Sequence, residues 1–137
     1  MRGPVRFAVA CVLLLAACGR SSAADSTELC QDLVNLQATV EFLAAPDPAS
    51  TVGEVRGALD KLDPTFQAVH DDDAVPDDED DALLDAQDDY RDQIADLGDD
   101  TPFGPALAAT SSIGQALLHD YEVVRQRLAC PSNLEPG

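Results

Sequence analysis

Residues 71–100 hold fifteen acids and one cation, Arg91. Clustered carboxylates suit hard cations, since calcium takes roughly six to eight oxygen ligands. An EF-hand loop needs liganding side chains at its first, third, fifth and twelfth positions and glycine at the sixth. Starting at Asp71 puts Val75 fifth and Pro76 sixth; starting at Asp77 supplies Glu79 and Asp81 but puts Ala82 sixth. Neither start fits, and a solvated acidic connection is the expectation. Asp71, Asp73, Asp77 and Glu79 are the carboxylates best placed for weak divalent binding, calcium foremost. His70 precedes Asp71, Asp72 and Asp73, and His119 precedes Asp120. A histidine among carboxylates can ligate zinc or act as a general base. Each is alone in its segment, without HExxH or CxxC spacing, so both are read as structural. Ser111 and Ser112 sit in neither a G-x-S-x-G elbow nor an S-x-x-K motif, and no glycine-rich phosphate loop occurs. These absences favour a noncatalytic protein.

The cysteines carry more information. Met1 to Arg6 contains two cations and no acid, and an apolar run from Phe7 to Ala17 ends at Cys18. A membrane-spanning helix needs roughly 20 apolar residues, so the run is too short to span and reads as an export signal. Leu15-Ala16-Ala17-Cys18 resembles the lipobox of bacterial lipoproteins: an aliphatic residue, two small residues and a cysteine closing the apolar run. The resemblance implies a diacylglycerol joined to the Cys18 sulfur, cleavage between Ala17 and Cys18, and anchorage on the outer face of the cytoplasmic membrane. The alternative is an ordinary signal peptide with Cys18 incidental. Two or three acyl chains hold a protein firmly where one holds it marginally.

An exported chain folds where thiols oxidise. With Cys11 removed and Cys18 lipidated, Cys30 and Cys130 remain, and an even pair most simply forms one disulfide. Two free thiols or a metal pair is the alternative, but the neighbouring His or Cys that zinc wants is missing.

Eight cations stand against 26 acids, for a formal charge of −18. Such a surface repels nucleic acid and anionic lipid. The expected partners are therefore the membrane, through the lipid alone, and an envelope protein, with no nucleic acid.

These residues need elements to position them. Leu29, Leu33, Leu36, Val40 and Leu43 recur at helical spacing after a cap at Asp25 or Ser26, and Pro46 and Pro48 forbid continuation. Thr51 and Glu54 form a capping box ahead of Val55, Leu59, Leu62, Phe66 and Val69. Pro64 is expected to kink this second helix or to split it with Asp63 as a new cap. A third stripe holds Leu83, Ala86, Tyr90, Ile94 and Leu97, with acids at its start and Gly98 as its stop. The last helix, from about Pro105 to Ala129, turns Leu107, Ile113, Leu117, Tyr121, Val124 and Leu128 inward. Tyr90 and Tyr121 are expected as packed rings whose hydroxyls reach the rim.

The reading is an all-α protein: an antiparallel four-helix bundle, clasped by a disulfide. Cys30 at the start of the first helix and Cys130 at the end of the fourth share one end of the bundle only if the helix count is even. The organisation is a signal peptide over 1–17, a lipidated tether over 18–25, the bundle over 26–131 and a C-terminal tail over 132–137. The expected role is an envelope protein-interaction module using the acidic edge between helices 2 and 3. The alternative is a divalent-cation-binding lipoprotein using loop 71–81. A bundle interior holding an apolar ligand is compatible with the fold but has no residue pointing to it.

Overall fold

A computed structural model of the chain describes residues 21–137. Four helices follow one another: α1 (Ser21–Ala44), α2 (Val52–His70), α3 (Asp77–Ile94) and, after a 3₁₀ turn over Gly104–Ala106, α4 (Leu107–Arg127). Each packs on its neighbour in sequence, and α4 packs back on α1, closing an antiparallel four-helix bundle. The signal peptide, the lipobox and Cys18 lie outside the described residues. Residues 21–25, expected within the tether, begin α1 instead. Alanines 23 and 24 carry strong helix propensity and nothing in the segment breaks a helix.

The apolar stripes make the core. Leu33, Val40 and Leu43 of α1 meet Leu59, Leu62 and Phe66 of α2, all fully buried, as are Tyr90 and Leu117 across the bundle. α2 begins with the reciprocal capping box: the Glu54 amide donates to Thr51 Oγ1 at 3.2 Å and the Thr51 amide to Glu54 Oε2 at 2.7 Å. The helix runs unbroken through Pro64, so of the two alternatives, kink or split, the split does not occur. α3 supports the turn before the proline: Gln87 Nε2 donates to Leu59 O at 3.0 Å and to Asp63 Oδ1 at 2.7 Å, and Arg91 to Asp63 Oδ1 at 2.7 Å. Donors from a neighbouring helix thus engage the turn that proline disturbs.

The two ends are closed differently. At one, the α1–α2 and α3–α4 loops join by backbone hydrogen bonds: Val52 to Thr101, Gly53 to Asp99, Phe103 to Ser50 and Gly104 to Pro48, all between 2.8 and 3.1 Å. Phe103 is fully buried there and stacks on Tyr90. At the other end Cys30 and Cys130 form the expected disulfide. Residues 132–137 turn back along α1, where Gln31 Nε2 donates to Glu135 O and the Gly137 amide to Asn35 Oδ1.

The first half of α4 departs from the expected stripe. Thr110 and Gly114 are buried, while Leu107 and Ile113 are half-buried. The cause is a close approach of two backbones. A Cβ on Gly114 would stand 2.4 Å from Leu43 O and 3.1 Å from Ala44 Cα. Gly57 on the exposed side of α2 has open space around it. Thermal or urea unfolding is therefore expected to separate two identical substitutions. Gly57→Ala adds about 0.5 to 1 kcal/mol through helix propensity. Gly114→Ala costs about 1 to 3 kcal/mol because α1 and α4 must part.

Candidate functional site

The acidic segment divides by environment. Twelve of the fifteen acids in 71–100 are exposed. Asp71 is the C-cap just beyond α2, Asp73 lies in the following turn and Asp77 opens α3, all facing solvent. Glu79 is bound elsewhere: both its oxygens accept from Arg127 Nε at 2.8 Å, tying the end of α4 to the start of α3. This pair places a carboxylate at one helix N-terminus and a guanidinium at another C-terminus, where each helix dipole favours it. Among the described residues Asp71, Asp73, Asp77 and Glu79 do not form a group with ligand atoms within 4.8 Å of one another.

A different group converges. His70, Asp80 and Asp81 each offer a ligand atom, all within 4.8 Å of one another. His70 is the last residue of α2, and Asp80 and Asp81 stand one turn into α3. His70 Nδ1 lies 2.8 Å from Asp80 Oδ2. Asp80 is only 2% exposed, and its Oδ1 has no hydrogen-bond partner. Sequence reasoning missed Asp80, yet a signal existed: it sits three residues before Leu83, on the backward extension of the α3 stripe.

The buried polar groups explain how the helix ends are satisfied. Tyr90 Oη donates to Leu43 O at 3.0 Å and Gln115 Nε2 to Ala44 O at 3.0 Å, so α3 and α4 cap the C-terminus of α1. Arg56 of α2 does the same for α3, donating to the carbonyls of Ile94, Ala95 and Leu97 while pairing with Asp99. Tyr121 Oη donates to Leu33 O within α1, and Arg125 lies over its ring. The tyrosine hydroxyls therefore do not reach the rim; both are buried against α1 carbonyls. His119 is exposed and Ser111 and Ser112 face solvent.

No protein-family model, characterised protein or solved structure matches this chain.

Burial pushes both phenols from 10.0 up to about 12; Thr110 beside Tyr90 and Arg125 beside Tyr121 oppose the rise. An unfolded tyrosine releases its proton near pH 10 while the folded one keeps it to about 12. The unfolded state thus binds fewer protons in that window, and stability falls as pH rises through it. Each tyrosine's contribution, roughly 2 to 3 kcal/mol from a shift of about two units, is complete below pH 10 and lost by about pH 12. Urea midpoints measured between pH 9 and about 12 are expected to drop. Tyr121→Phe, with a lower starting stability, is expected to show a shallower drop.

Proposed function

We propose that the chain is a lipid-anchored, noncatalytic protein of the bacterial cell envelope. It sits on the outer face of the cytoplasmic membrane and presents an acidic surface to a basic protein partner. The lipobox at Leu15 to Cys18 supports the anchor, and no helix of the described residues is long and apolar enough to cross a membrane.

One observation carries the docking role. The arginines among the described residues are engaged within the bundle: Arg56 on the end of α3, Arg91 on Asp60 and Asp63, Arg125 on Tyr121 and Gln37, Arg127 on Glu79. The exposed acids of α3 and its approach are left largely unmatched, a single-sign field aimed outward. Such a field raises encounter rates and enforces choice of partner more than it adds affinity.

Two measurements test this reading. Cys18→Ser is expected to move the full chain out of the membrane fraction, and retention there overturns the lipid anchor. A chain carrying Asp73→Asn, Asp77→Asn and Asp78→Asn keeps its fold, because all three residues are exposed. Crosslinking on intact cells is expected to join the parent chain to a basic envelope protein, with the yield reduced severalfold in that triple variant and by added salt. A yield indifferent to both overturns the acidic docking surface.

A further inference from the structure

We propose that His70, Asp80 and Asp81 form a binding site for one divalent transition-metal ion, zinc by its donor set, at the junction of α2 and α3. Two independent observations meet there. Three ligand-bearing side chains from two helices lie within 4.8 Å of one another. One of them, Asp80, is buried to 2% exposure and keeps an oxygen with no partner.

A buried carboxylate oxygen without a donor forfeits its hydration and receives nothing in return, and the loss is larger for a charged group. His70 meets only Oδ2. The arginine that reaches this turn, Arg127, is occupied by Glu79. A cation held by the imidazole and the carboxylates supplies the missing charge, and gripping Asp80 through both oxygens lets it meet the bare Oδ1 as well.

The donors choose among cations. Calcium and magnesium favour all-oxygen shells, whereas imidazole with carboxylates suits zinc and its neighbours. Three protein donors leave one position of a tetrahedral ion for water. His70 and Asp81 are exposed, which gives the ion a route in. The bound ion joins the end of α2 to the start of α3, at the same end of the bundle as the Cys30–Cys130 disulfide. This site does not depend on the docking role, and the substitutions used for that role leave all three donors in place.

Isothermal titration of the full chain, purified in detergent and stripped with EDTA, with zinc chloride tests the site. One saturable zinc ion per chain is expected, bound more tightly than calcium or magnesium. His70→Gln and Asp81→Asn are each expected to weaken zinc binding about tenfold or more. His119→Gln and Asp73→Asn are expected to change it little. Both ligand substitutions fall at exposed positions, and circular dichroism checks that the helices persist. Zinc binding that is absent or unsaturable, that calcium matches, or that survives both ligand substitutions overturns the proposal.

Discussion

The α1–α4 interface joins the two helices farthest apart in sequence, and the ring of four closes only when it forms. Toward the loop end it is backbone against backbone, since Gly114 lets α4 approach the last turn of α1 closely. Tyr121 on Leu33 O and Gln115 on Ala44 O bind the same two helices, and Cys30–Cys130 fastens them covalently. A loop of about 100 residues closed by a disulfide loses unfolded-state entropy worth roughly 4 to 5 kcal/mol in the chain model. The bond thus relieves the largest entropic demand of this topology: bringing the first helix to the last. With the interface made, α2 and α3 need only dock on neighbours already adjacent to them in the chain.

Charge is the second constraint, and it shapes the bundle from inside. With so few cations, the arginines among the described residues join or cap elements instead of only decorating the surface. Arg56 satisfies three carbonyls at the end of α3, where no glycine supplies a left-handed cap. Arg91 gathers Asp60 and Asp63 beside Pro64, and desolvation that would ease its proton off is outweighed by those carboxylates, so its pKa rises. Arg127 closes the gap between α4 and α3 through Glu79. Each guanidinium reaches several acceptors with one planar group, which a lysine ammonium does less well. The single lysine of the chain, Lys61, is exposed. The outward field follows directly: arginines paired across the bundle leave the exposed aspartates of α3 and its approach largely unmatched.

Helix number, order and most of the core were legible in the sequence because those features are local and periodic. The Thr51–Glu54 capping box, the Val55 to Val69 stripe and the pairing of Cys30 with Cys130 depend on spacing or on compartment. What resisted reading depends on contacts between distant segments. Gly114 is ordinary within its own helix and matters only because Leu43 lies against it. Tyr90 and Tyr121 have core spacing, but nothing local shows that their hydroxyls meet carbonyls of α1. Pro64 signals a break in isolation; Gln87 and Arg91, more than twenty residues on, support the turn before it. Asp71, Asp73, Asp77 and Glu79 stand out only by density of charge along the chain, and they are not the residues whose ligand atoms come together. The group that converges pairs a helix end with a helix start across a turn, a spacing that no linear motif records.

Asp80 is where local and global logic disagree. Extending the α3 stripe back from Leu83 calls for an apolar residue, and a leucine there would complete the core where α2 meets α3. Replacing a buried ion pair by well-packed apolar groups is often neutral or stabilising. The carboxylate is therefore not explained by stability, and its one partner, His70, leaves Oδ1 bare. Gln87, Tyr90 and Tyr121, buried elsewhere in the bundle, are matched to acceptors. Two buried polar atoms among the described residues lack a partner, Arg125 Nε and Asp80 Oδ1, and it is Asp80 that stands beside an exposed histidine and a second carboxylate. A positive charge brought there from solution would meet the buried carboxylate whose second oxygen the fold leaves bare.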